Sequence, residues 1–540
     1  MKTISGNIID VPGRKIFPGT INIDGKKISD IKKESNTYKN YILPGFIDAH
    51  VHIESSMLVP SEFARAAVRH GTIATVSDPH EIANVLGMEG VRFMIDNARK
   101  VPFKIYFGAP SCVPATAFET SGAVISPQDI KELFEKDNLK YLSEMMNFPG
   151  VIFSDKEVMK KINIAKGFGK PIDGHSPGLT GDDLKKYAAA GISTDHECFT
   201  LEEANEKISL GMKILIREGS AAKNFDALKT LVRDKTSEVM LCSDDKHPDD
   251  LLEGHINLLV KRCLAEGYDL FDVLQCTIVN PINHYGLDVG MLKIGDAADF
   301  IVIDNPENFN VLETYIDGNK VYGDGKVFIE SVAVNELNKF NLTKKTIEDF
   351  KVYANEGALN VIEAFDGELI TKAIKVKPKV SQGYIESDIE NDILKIAVIN
   401  RYDDGKPAIG FIKNFGIKKG AIASSVAHDS HNIICIGTND GDMSAAVNSL
   451  VDSKGGISVC EGEKCDVLKL SVGGIMSSED VYQVSEKYKM LQKKAKEMGS
   501  KLKAPFMTLS FMALLVIPEL KLSDKGLFDG VKFQLTSLQS

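Results

Sequence analysis

The 540-residue chain predicts an α/β fold: a (β/α)8 barrel, a small β-rich unit built from the segments that flank it, and a C-terminal α+β region. Three observations predict it. Eight short apolar runs, each ending in a polar residue, alternate with amphipathic segments between Phe46 and Asp244. Both flanks of that block alternate apolar and polar residues around turn signals. Beyond residue 345 the pattern changes to longer strands and one long helix candidate.

The eight runs are FIDAHVH (46–52), TIATVSD (72–78), FKIYFG (103–108), YLSEM (141–145), PIDGH (171–175), ISTDH (192–196), KILIRE (213–218) and VMLCSD (239–244). Between them lie segments such as SEFARAAVRHG and GDDLKKYAAAG, with helical periodicity and a closing glycine. A doubly wound sheet also alternates in this way. The count of eight and the polar strand ends favour the barrel, whose active site lies at the C-terminal ends of its strands. The predicted bounds are 43–290 for the barrel, 1–42 with 291–344 for the β-rich unit, and 345–540 for the C-terminal region. That last region opens with mixed helical sequence, then gives strands in DILKIAVINRY and IICIGTND and a helix in SSEDVYQVSEKYKMLQKKAKEMG.

Composition narrows the function classes. Apolar residues make up 43% and charged residues 26%, with a formal net charge of −11, so nucleic acid is not an expected partner. The N-terminal MKTISGNIIDVPG lacks the apolar core of a signal peptide, and FMALLVIPEL is broken by proline and too short for a bilayer. A cytoplasmic protein with no membrane partner is the expectation. Eight cysteines without a C-x-x-C pair read as reduced thiols, Cys460 and Cys465 being the closest pair.

The strand ends carry the chemistry. His50 and His52 stand at i and i+2 on the first strand and so share a face. The fourth strand offers Glu144, the fifth His175, the sixth His196 and the eighth Asp244. Four imidazoles and two carboxylates from five strands suffice for two divalent ions, with a carboxylate between them. A nitrogen–oxygen set without thiolate suits Mn²⁺, Fe²⁺ or Zn²⁺. Such an ion lowers the pKa of a bound water from 15.7 to roughly 7, and Asp244 is placed to accept its proton. Glu197 follows His196 at the strand end. It reads either as an acid that protonates a substrate ring nitrogen or as an exposed loop glutamate.

With these residues in hand, the sequence resembles the amidohydrolase superfamily, and within it the bacterial-type adenine deaminases. The resemblance runs over nearly the whole chain: PGFIDAHVHIESSM, TVSDPHEIANVLG, FPGVIFSD, DGHSPGLTG, STDHEC, IREGSA and CSDDKHPDDL, then GFIKNFGIKKGAIASSVAHDSHNIICIGTNDGDM and PFMTLSFMALLVIPELKL. It implies a TIM-type metal-dependent hydrolase barrel that deaminates adenine to hypoxanthine and ammonia at a binuclear centre, manganese being the usual ion. By position, His50, His52, Glu144, His175, His196 and Asp244 match the family's ligands. The resemblance also implies that Glu197 protonates adenine N1 and that Asp244 takes the proton of the attacking water. Glu144 stands where many binuclear relatives carry a carboxylated lysine; Lys140 lies four residues too early for that role.

Weaker candidates surround this set. Asp78 and His80 end the second strand as orienting partners, an accessory cation site, or a helix cap at Asp78. Arg217 and Ser220 are candidate purine contacts, and Asp245 either holds a ring nitrogen or supports Asp244. His428 and His431 in AHDSHN form a metal-like pair with three open roles: a lid, an oligomer contact or a structural pair. The expected partners are adenine and water, and the expected assembly is a homo-oligomer, a dimer. The alternative activity is cleavage of a cyclic amide, as in hydantoinases and dihydroorotases. Those enzymes usually rely on the carboxylated lysine, which Glu144 replaces, and need no acid beside the sixth-strand histidine. A cytidine-deaminase-type centre is excluded, because its P-C-x-x-C element is missing.

Overall fold

A computed structural model describes residues 2–540. All eight apolar runs form strands: β1 (Phe46–Val51), β2 (Thr72–Ser77), β3 (Lys104–Ala109), β4 (Tyr141–Met145), β5 (Ile172–Gly174), β6 (Thr194–Asp195), β7 (Lys213–Arg217) and β8 (Val239–Cys242). They pair in parallel and in chain order, β1 to β5 in one ladder and β6 to β8 in another. The ladders meet at both junctions. Ser193 N donates to Ile172 O at 2.8 Å. At the other side Asp244 N donates to His50 O at 2.9 Å and His52 N to Asp244 O at 3.2 Å. The last strand is thereby tied to the first.

Strands β1, β2 and β8 are buried from end to end, and β3 and β7 are buried toward their C-terminal ends, as a parallel sheet covered by helices on its outer face requires. Periodicity then chooses the helices. Pro60–Ala67 and Gly181–Ala189 turn their apolar stripes inward. The glycines that follow, Gly71 at φ 78° and Gly191 at φ 98°, adopt the left-handed conformation that reverses the chain toward the next strand.

The two flanks share one eight-stranded sheet. Its order runs from Lys326–Val327 through Asn319–Gly323, Val311–Ile316, Phe300–Ile303, Tyr41–Pro44, Lys2–Asp10 and Lys15–Asp24 to Lys27–Lys33. Residues from before β1 and from after the last helix of the ring therefore sit side by side, with Ile301 opposite Leu43. Residues 328–346 contain neither helix nor strand, and Leu342 packs into the core of the C-terminal sheet.

That C-terminal sheet also has eight strands, with Ile393–Ile399, Ile433–Gly437 and Ala421–Ser424 at its centre. Helix Asp440–Ser453 covers one face through Met443, Ala446, Val447 and Leu450. The long helix spans Val481–Glu497 and reaches back to the ring, where its Tyr488 Oη and His247 Nδ1 lie 2.6 Å apart.

Two expectations are corrected here. The C-terminal region opens not with helix but with a single 3₁₀ turn, Ile347–Phe350, followed by strands from Leu359. The alternation in ALNVIEAF and KAIKVKPKV has the period of a strand, and pairing in the sheet decides it. The cysteines are also not all reduced: Cys460 and Cys465 form a disulfide. They stand directly opposite each other on adjacent antiparallel strands joined by a tight turn. A spacing of five residues is what such a hairpin brings together. The remaining six are buried free thiols. Among the described residues, no helix is long and apolar enough to cross a membrane.

Candidate metal centre

Six donors converge at the C-terminal ends of the strands, and all are at least 93% buried. Glu144 sits at their middle. Its Oε1 lies 3.3 Å from His52 Nε2, and its Oε2 lies 2.8 Å from His175 Nδ1 and 3.1 Å from His196 Nε2. Asp244 Oδ1 lies 3.4 Å from both His50 Nε2 and His52 Nε2. Each side chain is placed by a strand end, so the ring's geometry rather than any loop sets the spacing. Asp244 itself has φ 56°, a left-handed conformation uncommon for a non-glycine residue, held by its two hydrogen bonds to β1.

The donor set fits divalent cations. His50 Nε2 and His52 Nε2 face each other at 3.2 Å, where at most one can carry the proton between them. His50 Nδ1 and His175 Nε2 are buried with no hydrogen-bond partner. Donor atoms of His50, His196 and Asp244 lie within 4.8 Å of one another, as do those of Glu144, His175 and His196. Imidazole and carboxylate lone pairs crowded onto common points are what cations between them would relieve.

Electrostatics keep the carboxylates charged. Burial pushes Glu144 up, but His175 and His196 outweigh it and hold the group well below the usual carboxylate range. Asp244 is likewise pushed up by burial and drawn well below its ordinary value by Arg217 and by His50 and His52. His175 loses basicity to burial and regains more from Glu197 and Glu144, ending at about 9.

Glu197 lies in the loop after β6 but is 1% exposed, which removes its reading as an exposed loop glutamate. Arg217 binds it in a fork, Nη1 donating to Oε1 at 2.5 Å and Nη2 to Oε2 at 2.9 Å. The same Nη1 donates to Asp244 Oδ2 at 2.5 Å. Arg217 therefore stands as the link between two carboxylates, and its Nη donors face them rather than an open purine site. Ser220 also departs from a purine contact: its hydroxyl donates to Asp250 Oδ2 at 2.5 Å and accepts from His247 N, fixing the loop after β7. Asp245 accepts from Ser55 Oγ at 2.5 Å and sits beside Asp244, with a carboxylate oxygen within 4.8 Å of a ring nitrogen of His52.

Asp78 stands beside His80, but Pro79 rather than Asp78 occupies the cap position of the helix, with no side-chain cap hydrogen bond. Asp78 Oδ1 accepts from His80 N at 3.0 Å at the start of helix His80–Ala98, and its Oδ2 lies 3.1 Å from His80 Nδ1. His428 and His431 are not surface residues. They are 5% and 1% exposed and both contact the carboxylate of Glu81, which excludes the role of an oligomer contact. Lys140 points away from the centre, with Nζ donating to Gly286 O.

Several residues escape a motif search. Asn224 donates to His196 O at 3.1 Å and accepts from Arg217 N at 2.8 Å, locking the ends of β6 and β7 together. Asp195 accepts from Glu197 N at 2.7 Å and lies 3.2 Å from Lys207 Nζ, which fixes the backbone that carries Glu197. Glu81 had one signal, its position directly after His80, which repeats the His196–Glu197 pairing.

Comparison with known proteins agrees with this geometry. Residues 41–321 match the amidohydrolase family, and residues 368–534 match the adenine deaminase C-terminal domain. An adenine deaminase of Methanosarcina mazei is 52% identical, covering 100% of this chain and 99% of its own length. Those of Salinibacter ruber and Sulfurovum sp. are 52% and 53% identical, each covering 98% of both chains. The chain belongs to the adenine deaminase family of amidohydrolases.

Proposed function

We propose that the protein hydrolyses adenine to hypoxanthine and ammonia at the strand-end centre of a (β/α)8 barrel, with two divalent ions, manganese first among them. The observation that carries the reading is the bridge of Arg217 between Glu197 and Asp244. Two carboxylates share one guanidinium beside a His/Glu/Asp donor set, which supports giving them opposite proton tasks.

His50, His52, Glu144, His175, His196 and Asp244 would hold the cations, whose contribution when bound is to bring the pKa of water toward roughly 7. The remaining steps belong to the side chains. Asp244 takes one proton from the attacking water as its oxygen bonds to C6. Glu197 gives a proton to N1, which draws electron density from C6 and makes it electrophilic. Asp244 then passes its proton to the exocyclic nitrogen, and the C6–N bond breaks with its electron pair leaving on ammonia. The hydroxyl proton at C6 returns to Glu197 as the carbonyl of hypoxanthine forms. One water enters, one ammonia leaves, and both carboxyl groups end as they began. Arg217 holds the two carboxylates in fixed register, so neither proton has far to travel.

Cleavage of a cyclic amide is the competing activity, and Glu144 at the fourth-strand position argues against it. The deciding experiment reconstitutes the full chain with Mn²⁺ and follows ammonia release from adenine, adenosine, guanine and a hydantoin. Turnover of adenine above the others supports the proposal. Activity confined to the hydantoin would overturn it.

A further inference from the structure

A second group of buried donors lies behind the centre, where the C-terminal sheet meets the ring. His80 and Glu81 open the helix that follows β2. Asp429 lies on the connection between strands Ala421–Ser424 and Ile433–Gly437 of the C-terminal sheet. The three are 3%, 1% and 3% exposed. His80 Nε2 lies 3.4 Å from Glu81 Oε1 and 3.7 Å from Asp429 Oδ1, and donor atoms of all three fall within 4.8 Å of one another.

These are not the contacts of a hydrogen-bonded imidazole. Neither ring nitrogen of His80 has a hydrogen-bond partner, and Asp429 Oδ2 has none either. A buried carboxylate oxygen and a buried imidazole without hydrogen bonds are each costly to leave dry, even with Asp78 Oδ2 lying 3.1 Å from His80 Nδ1. A cation answers both at once. Ligand bonds of about 2.0–2.2 Å in tetrahedral array put neighbouring donors about 3.3–3.6 Å apart, by the edge length of a tetrahedron. The strand-end centre shows that same spacing, with 3.3 Å from His52 to Glu144 and 3.4 Å from His50 to Asp244.

The partners of Glu81 strengthen the case. His428 Nδ1 contacts its Oε1 and His431 Nε2 its Oε2, so the carboxylate is gripped from the C-terminal side and fixed in orientation. Ligating carboxylates are commonly held in this way by a second layer of hydrogen bonds. On its other edge, His80 Nδ1 lies 3.5 Å from Glu144 Oε1, so a single imidazole separates this group from the main centre.

We propose that His80, Glu81 and Asp429 form a third divalent-cation site, distinct from the strand-end pair, which clamps the C-terminal sheet onto the ring. One imidazole and two carboxylates suit Mn²⁺, Fe²⁺ or Zn²⁺. Because the ligands come from both regions, the ion couples its binding free energy to their docking. The inference concerns metal content and stands whether or not adenine is the substrate.

The test strips the full-length protein with chelator, reloads it with Mn²⁺ alone, removes free metal by dialysis and measures manganese per chain. Three equivalents are expected in the wild type, and two in Asp429→Asn and in Glu81→Gln. Anomalous scattering at the manganese edge from wild-type crystals is expected to show a separate peak between His80, Glu81 and Asp429. That measurement holds even if a variant fails to fold. Two equivalents in the wild type, with no peak among these residues, would overturn the proposal. So would variants that keep the wild-type count and only raise the KM for adenine, because that result makes Asp429 and Glu81 substrate contacts.

Discussion

The donors around Glu144 and those around Glu81 use the same residue types, at 2.8–3.3 Å in the first group and 3.4–3.7 Å in the second, yet different things hold them. Around Glu144 each donor stands at the end of a parallel strand, and neighbouring strands fix it through ladder hydrogen bonds. Around Glu81 the donors come from the first turn of a helix and from a connection in a different sheet. Their geometry exists only while two regions stay docked. The first centre is a property of the ring; the second is a property of an interface.

The largest effect that this difference predicts is at Glu144. It contacts three of the four histidines of the centre, so Glu144→Ala leaves them facing open space. We expect both strand-end equivalents of manganese to be lost. Deaminase activity should fall by about 10⁴-fold or more, a barrier increase of about 5.5 kcal/mol. Metal analysis beside steady-state kinetics checks it, and retention of both ions with near-normal turnover would break the assignment.

Glu197→Gln separates ligand from acid. The variant keeps the shape and the Arg217 neighbour but has no proton to give to N1. Turnover is expected to fall about 10²–10⁴-fold with the two strand-end ions still bound. Loss of metal instead would make Glu197 a ligand, which its 3.4 Å distance to His196 Nε2 makes a real alternative to test.

A smaller change is expected at Arg217. Arg217→Lys keeps the charge and removes the fork that joins Glu197 to Asp244. A drop of about 10–100-fold in kcat/KM with unchanged metal content is the expected result, the usual size for a partner that orients reacting groups. An unaltered rate would show that the strand ends alone hold the two carboxylates in register.

The same contrast explains what the sequence made legible. All eight strands and all six donors of the centre could be read, because a repeating strand–helix unit puts functional residues at one predictable place: the polar residue that ends an apolar run. His50, His52, His175 and His196 are of this kind. Glu81 and Asp429 are not. Both stand inside distinctive motifs, SDPHE and AHDSHN, but nothing local says that residues 348 positions apart share a site. Arg217 was found at its strand end, though its partners were not. A guanidinium is long enough to reach several neighbours, and only packing decides which. The Cys460–Cys465 pair and the strands after Leu359 are hidden from the sequence for a related reason, since cross-strand pairing rather than spacing makes them.

The smallest expected effect lies outside both centres and probes the ring's packing alone. His70 ends the turn before β2 and is 9% exposed. Burial, then the charges of His255 and Arg69, push its imidazole down from the ordinary 6.5 to about 3. It is therefore neutral in the fold at pH 5, while an unfolded chain would protonate it there. Because the folded value is the lower one, the unfolded state binds the extra proton between pH 6.5 and about 3. The contribution of His70 is fully present above pH 6.5 and drains away as pH falls through that window. It does so at no more than about 1.4 kcal/mol per pH unit, with about 1–2 kcal/mol lost by pH 5. In His70→Phe the fall in stability between pH 7.5 and pH 5 should be smaller than in the wild type by that amount. Denaturant titrations at the two pH values measure the difference. An equal fall in both proteins would mean that His70 takes up its proton without leaving the fold, and that this edge of the ring is looser than the buried strand ends that carry the six donors.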